Sequence, residues 1–309
     1  MCNIMLYDTG DSRNEYNEPL GVEVIAAKLA QTFGEEINMK LLWYSCDGLP
    51  TLPDGEIDVL GISLHIGQLN IFQRLYENLD QLTHRPRVFV GNVVATYGYE
   101  QLLKNYPDIV CMLGEGEESF VQIVESMRTG DLDLERINNL AYWQGGIIHL
   151  TERKVANLDE YVNPLRMFND FLFVNRGLAR IEGSRGCAWQ RCSFCCVNYK
   201  YDSAPWRPIG VEKIVAQIEE LASSSFHSLY FTDEDFVGNN PTRLETLIDH
   251  LEEARSRSDV VRGVDYFISI IAIQEINKEY QQRKTNQCNL KEGSARMPEQ
   301  SPAEAMVKT

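Results

Sequence analysis

The chain has 309 residues, 44% of them hydrophobic and 24% charged, with a formal net charge of -16 at pH 7, the balance of a globular protein with room for two domains. So acidic a chain excludes a nucleic-acid partner, which needs a basic face, and no charge-poor apolar run reaches the roughly 18 residues of a membrane span. The opening stretch Met1 to Asp11 lacks the length and basic flank of a signal peptide, and clustered thiols without an export signal point to a reducing cytoplasm.

From Asn3 to Met127 short apolar runs alternate with amphipathic stretches. The runs predict strands at Asn3 to Tyr7, Met39 to Tyr44, Val59 to Leu64, Val88 to Gly91 and Ile109 to Leu113. Helical periodicity between them covers Leu20 to Phe33, Leu69 to Leu82, Tyr97 to Asn105 and Glu117 to Met127. The first helix is approached by turn-forming Asn17 to Pro19 and stopped by Gly34. Five strands separated by helices predict a doubly wound α/β domain, a parallel sheet covered on both faces. Ligands of such sheets bind at the carboxyl ends of the strands.

The candidate positions there are Ser63 and Leu64 after the third strand, Gly91 after the fourth, and Gly114, Glu115, Gly116 and Glu117 after the fifth. Glycine lets a large flat ligand approach the backbone, and Glu117 and Glu118 suit a helix N-terminus. No Gly-x-Gly-x-x-Gly follows the first strand, so dinucleotide binding gains no support. His65 lies on the ligand side and reads as a solvated loop residue. His84, His149, His227 and His250 are scattered and form no ligand pair.

At 138 the pattern changes. Leu140 to Trp143 and Ile147 to Leu150 read as a β-hairpin turned at Gly145-Gly146, and Asn157 to Phe171 as a linker. The expected organisation is an α/β domain over 1–137, hairpin and linker over 138–170, a partial (β/α) barrel over 171–273 and a polar, disordered tail over 274–309.

The densest signal follows. Ile181 to Cys196 carries four of the eight cysteines, and Cys187, Cys192 and Cys195 fall on a glycine-bracketed loop behind a short apolar run, Leu178 to Ile181. Soft sulfur ligands select zinc, copper(I) or an iron–sulfur cluster. Zinc ordinarily closes its shell with a second, well-separated ligand pair, and the chain shows none. Three thiolates on one loop suggest a 4Fe-4S cluster with one iron left open for a small molecule. Beyond the loop, Val211 to Ala222 is an amphipathic helix. Ser228 to Phe231 is a short strand ending in Thr232-Asp233-Glu234-Asp235, Arg243 to Arg255 a second helix, and Tyr266 to Ile273 a third strand. This βαβαβ succession fits the first half of a barrel.

The residues Ser184-Arg185-Gly186-Cys187 and Cys192-Ser193-Phe194-Cys195 resemble the cluster loop of the radical S-adenosylmethionine (SAM) enzymes. That loop usually reads Cys-x3-Cys-x2-Cys with an aromatic residue before the third cysteine; Phe194 takes that place, and the first gap is one residue longer here. The resemblance implies that Cys187, Cys192 and Cys195 hold a 4Fe-4S cluster. Its open iron would bind the amino and carboxylate groups of SAM and pass the electron that splits it to a 5'-deoxyadenosyl radical. Phe194 would border SAM, and Asp233 and Glu234 occupy the place where the family binds its amino group.

Taken with that loop, the N-terminal half resembles the cobalamin-binding domain that precedes the barrel in a large class of these enzymes. Asp58-Val59-Leu60-Gly61-Ile62-Ser63 and Gly114-Glu115-Gly116-Glu117 match the class pattern, and Gly91-Asn92 stands where it has a double glycine. The resemblance makes Ser63, Leu64, Gly91, Gly114, Glu115, Gly116 and Glu117 cobalamin contacts. The absence of Asp-x-His-x-x-Gly implies cobalt held without a histidine from the protein.

The implied function is a cobalamin-dependent radical SAM enzyme for methyl transfer to, or rearrangement of, an unactivated carbon. It would act on a small-molecule or peptide substrate and draw on an external electron donor. A βα unit takes about 30 residues, so the family's six-unit barrel needs about 180–190, and the residues after Ile181 suffice for about three such units. The expectation is a truncated chain or one whose barrel a partner completes, with an open edge at the third strand that favours association. The alternative is a truncated non-catalytic corrinoid-binding or structural-metal protein.

Overall fold

The computed structural model describes residues 1–10, 16–223, 228–257 and 263–265. They form two compact units, the first Met1–Leu178 with Tyr199–Ala204, the second beginning with Ala179–Asn198 and resuming at Pro205.

The first unit runs β1 (Cys2–Asp8), α1 (Leu20–Phe33), β2 (Ile37–Trp43), α2 (Tyr44–Asp47), β3 (Val59–Ser63), α3 (Leu69–Leu79), β4 (Arg87–Gly91), α4 (Asn92–Asn105), β5 (Val110–Met112), α5 (Glu117–Thr129), β6 (Leu140–Gln144), β7 (Ile147–Leu150) and α6 (Asn169–Val174). The strands form one seven-stranded sheet in the order β2-β1-β3-β4-β5-β6-β7. Neighbours from β2 to β5 pair in parallel, and β6 and β7 add on antiparallel. β1, β3 and β4 are almost wholly buried apolar runs, as strands covered on both faces must be. Met5, Tyr7, Leu60, Ile62, Phe72 and Val88 belong to one core cluster on this sheet. The doubly wound α/β expectation holds.

Two local departures have physical causes. The hairpin expected to lie between domains instead lengthens the sheet, because β5 needs a partner on its far side. Buried Leu140, Ala141 and Tyr142 supply that partner, and Gly145 and Gly146, both at positive φ, make the two-residue turn. α4 begins at Asn92 rather than Tyr97, with a break at Gly98 (φ -120, ψ 15) that interrupts the helical period. α1 has buried acids at its start: Glu18 pairs with Arg166, and Glu23 Oε1 accepts the Met167 N–H at 2.6 Å. Burial and the neighbouring Glu18 carboxylate push the Glu23 carboxyl well above the usual range.

The second unit runs β8 (Ala179–Ile181), β9 (Ser184–Arg185), α7 (Val197–Lys200, whose last two residues belong to the first unit), β10 (Arg207–Pro208), α8 (Val211–Ser223), β11 (Ser228–Phe231), α9 (Pro241–Arg257) and β12 (Gly263–Asp265). β8, β11 and β12 form a parallel sheet in the order β12-β11-β8, and β9 pairs antiparallel with β10. α8 buries Ile214, Gln217, Ile218 and Leu221, three of them on the expected apolar face. The expected strand Tyr266 to Ile273, the tail over 274–309 and His227 lie outside the described residues. Among the described residues no helix is long and apolar enough to cross a membrane.

Gly61 marks the tightest approach of helix to sheet. A Cβ there would lie 2.7 Å from Leu6 Cδ2 and 2.8 Å from two ring carbons of Phe120 on α5, both side chains buried. Gly61→Ala is expected to lower the urea midpoint by the equivalent of about 1–3 kcal/mol. An unchanged midpoint would mean that α5 does not rest on β3 as described.

Candidate functional site

Register builds the first candidate site. Parallel pairing aligns Asp8 with Ser63 and Ser63 with Gly91, so the ends of β1, β3 and β4 form one row. The chain leaves β1 towards β2 on one side and β3 on the other, the switch point at which open α/β sheets take ligands. Asp8 is buried. Its Oδ1 accepts the Gly10 N–H at 2.8 Å, and its Oδ2 lies 3.0 Å from His65 Nε2. The His65 N–H donates to Thr9 Oγ1 (3.1 Å), the Thr9 hydroxyl donates to the Ser63 carbonyl (3.0 Å), and Asn92 Nδ2 donates to Ser63 Oγ (2.9 Å). Burial works against the Asp8 charge, but the positive charge and hydrogen bond of His65, with bonds from Ser63 and Gly10, outweigh it and hold the carboxyl below its usual range.

His65 is therefore not the solvated loop residue the sequence suggested; its side chain is 25% exposed and tied to a buried carboxylate. Asp8 and Thr9 escaped the sequence reading, and Asn92 entered it only as standing in place of a glycine. The available signal was a run of polar residues directly behind the apolar core of β1.

The expected ligand loop after β5 is spent largely on the chain itself. Gly114 (φ +74) donates its N–H to Thr96 Oγ1 at 3.0 Å. A Cβ on it would lie 2.5 Å from the Lys200 carbonyl oxygen and 2.6 Å from Arg153 Nη2, so its bareness accommodates protein. Glu115 is buried, with Oε2 accepting the Ala156 N–H (2.6 Å) and its carbonyl accepting Asn139 Nδ2 (3.0 Å). Leu64 is fully buried in the core. A Cβ on Gly116 would lie 3.1 Å from Met112 Cε, and Glu117 opens α5, half-buried. Gly91 is different: a Cβ there would meet nothing nearer than Met112 Cβ at 3.9 Å.

The second candidate site is the cysteine loop. Cys187 is half-buried, whereas Cys192, Cys195 and Cys196 are exposed and in no disulfide, and Phe194 is 90% exposed. The Cys195 N–H donates to the Cys192 carbonyl at 3.2 Å, which folds those two into one turn. Yet among the described residues no three His, Cys, Asp or Glu side chains are grouped to hold a metal ion. The loop carries Cys187, Cys192 and Cys195 but does not gather them. Burial pushes the Cys187 thiol up, against the opposing pull of the Gln190 and Trp189 N–H groups, and the Asp235 carboxylate adds to the rise.

The acidic run after β11 is not an open acidic turn. Asp233 is buried; its Oδ2 accepts the Gly183 N–H at 2.9 Å and its Oδ1 the Ser184 hydroxyl. Arg243 donates to the carbonyls of Gly183 and Phe236. Asp235, also buried, accepts the Ala188 N–H on Oδ2 and the Gly238 N–H on Oδ1, both at 3.1 Å. Its carbonyl accepts Trp206 Nε1 at 2.7 Å. Asp233 is thus committed to the β8–β9 junction, and Glu234 is the member of the expected pair that stays partly exposed. Trp206 and Arg243 had no spacing signal, because single residues from separate segments leave none, whereas Ser184 and Asp235 stood inside the singled-out motifs with no sign that they would join one network.

Burial pushes the Asp233 carboxyl up to about 7 from 3.8, despite the bonds from Ser184 and Gly183 and the charge of Arg243. The folded unit therefore binds this proton more tightly than the unfolded chain does. The stability it contributes is present below the ordinary aspartate range and is lost as pH rises towards about 7. Denaturant midpoints of the wild type, compared with Asp233→Asn on either side of that window, should show a fall with pH that the variant lacks; parallel profiles would refute it.

Residues 9–124 match the family model described as the B12 binding domain. The chain is 26% identical over 227 residues to 4'-phospho-dehydrooxetanocin synthase of Priestia megaterium, which covers 69% of this chain and 30% of that protein. It is 33% identical over 82 residues to the hopanoid C-2 methylase of Rhodopseudomonas palustris (strain TIE-1), covering 26% of this chain and 15% of that one. Its fold is similar to that of the cobalamin-dependent S-adenosylmethionine radical enzyme OxsB with aqua-cobalamin and S-adenosylmethionine bound, at TM-score 0.69 and 22% identity over 85% of this chain and 38% of that one. It is also similar to the radical S-adenosylmethionine methyltransferase TsrM from Kitasatospora setae with cobalamin and a 4Fe-4S cluster bound, at TM-score 0.66 and 15% identity over 84% and 52%. The chain thus spans 30% of the length of the oxetanocin-type synthase and 38% of that of OxsB. The resemblance to cobalamin-dependent radical SAM proteins holds, in sequence over the B12 binding domain and in fold over both units.

Proposed function

We propose that this chain carries the corrinoid-binding unit and the cluster loop of a cobalamin-dependent radical SAM enzyme. The observation that carries the reading is the coincidence, on one chain, of a B12 binding domain match over residues 9–124 with a Cys-x4-Cys-x2-Cys loop opening just behind β8. Cys187, Cys192 and Cys195 would hold a 4Fe-4S cluster with one iron open to SAM. When bound, the cluster supplies the electron that cleaves SAM, and cobalamin supplies the chemistry of methyl transfer or rearrangement at an unactivated carbon. The substrate class is a small molecule or peptide, and an external donor provides the electron.

The donor set suits a cluster in kind. Three soft thiols sit within nine residues, none of them in a disulfide. Arg191 to Cys196 are all exposed, so wrapping this stretch round a ligand gives up little packing. Phe194 and Glu234 have side chains partly or wholly open to SAM, whereas Asp233 acts beneath them by fixing Gly183 and Ser184. On the corrinoid side, Ser63 with Asp8, His65 and Asn92 makes a polar floor at the switch point, and open Gly91 lets a flat ring approach. Leu64, Gly114, Glu115, Gly116 and Glu117 shape the loops around it.

Anaerobic reconstitution with iron and sulfide should give broad sulfur-to-iron absorption and about four irons per chain, and Cys192→Ala should lose both. Hydroxocobalamin should bind with a shifted visible spectrum, and Gly91→Phe should abolish that shift while leaving iron content unchanged. A chain that takes up zinc but no iron, or that binds corrinoid equally well as Gly91→Phe, would overturn the reading and favour a structural-metal protein.

A further inference from the structure

We infer that Asp235 is a positioning residue for Cys187, fixing one end of the cysteine loop in advance while Cys192 and Cys195 remain on its exposed part. The inference rests on the proposed cluster-binding role of the loop. Asp235 is fully buried; its carboxyl oxygens accept the Ala188 N–H, one residue beyond Cys187, and the Gly238 N–H in the turn after β11, each at 3.1 Å, and the same side chain hydrogen-bonds the Cys187 thiol. The residue before Cys187 is restricted in type: Gly186 sits at φ +85, and a Cβ on it would lie 3.1 Å from the Pro205 carbonyl oxygen. Cys187 thus lies between a glycine where a side chain is disfavoured and a backbone N–H held by Asp235. The turn behind Asp235 is equally particular: Gly238 (φ +59) lies under the Trp206 indole, where a Cβ would come within 2.2 Å, and that indole donates to the Asp235 carbonyl.

Two consequences separate this role from general support of the fold. A ligand already in place loses less conformational freedom on binding than one that must be ordered, so cluster uptake should depend on the bond from Ala188 to Asp235. Asp235 also bonds the Cys187 thiol directly, so exchanging its carboxyl for an amide, which can donate a hydrogen bond to the ligand sulfur, should ease addition of an electron to the bound cluster, because hydrogen bonds to the sulfurs of such clusters set their potential.

The test uses the full chain, reconstituted anaerobically, with bound iron and sulfide measured after desalting and the midpoint potential read by redox titration. Ala188→Pro deletes the donor from the loop and leaves the buried carboxylate and its bond to Gly238 in place; Ala188→Gly keeps the donor. Several-fold less bound iron in Ala188→Pro, with Ala188→Gly at the wild-type level, is expected. Asp235→Asn, nearly the same size, should shift the midpoint of whatever cluster it retains to higher potential. If Asp235→Asn loses its circular-dichroism signature, the Ala188 pair decides alone. Wild-type iron content in Ala188→Pro, or an unshifted potential in a folded Asp235→Asn, overturns the inference and leaves the cluster reading standing. A wild-type chain that takes up no iron overturns both.

Discussion

Two carboxylates, Asp233 and Asp235, are fully enclosed in the second unit, and its local architecture follows from having to satisfy them. Burying a carboxylate is costly unless its oxygens are hydrogen-bonded. Here the donors are the Gly183, Ala188 and Gly238 N–H groups and the Ser184 hydroxyl, drawn from the strand exit of β8, the start of the cysteine loop and the turn behind β11. One short acidic run thus ties together three segments, and Arg243 tightens the knot through the carbonyls of Gly183 and Phe236. The exposed cysteines hang from this frame.

The first unit solves a different problem. Its parallel strands are covered on both faces, and their register brings the polar ends Asp8 and Ser63 level with Gly91. The polar network of Thr9, His65 and Asn92 grows from that row. Here the fold makes the site directly, since the switch in strand order opens the crevice and the register fills its floor.

Much of this was readable from the residues. Runs such as Val59 to Leu64 and Val88 to Gly91 read as strands because their apolar content is nearly continuous, and strands form at Val59–Ser63 and Arg87–Gly91; α1 falls on Leu20–Phe33 as periodicity and Gly34 require. Side-chain direction was not readable. Nothing in the neighbourhood of His65 announced that Asp8, more than fifty positions earlier, would meet it, because parallel pairing creates the encounter. The glycine at 114 was singled out as a place where a flat ligand could approach the backbone; in the structure the chain's own Lys200 carbonyl and Arg153 take up that space. The spacing of Cys187, Cys192 and Cys195 names residues that one loop can deliver together, while their directions depend on turns such as Gln190 (φ 50) that spacing does not encode.

The fit at Gly114 reaches further than its own loop. Because the carbonyl of Lys200 rests where a side chain would otherwise stand, and Arg153 Nη2 bonds that same oxygen at 3.0 Å, three segments remote in sequence share one small volume. Tolerance to insertion and deletion should therefore be sharply uneven along this protein. The turn at Gly145-Gly146, with nothing packed against it, can take added residues, whereas 199–204 must keep its length, and the residue at 114 can gain a side chain only if the backbone at 200 moves away.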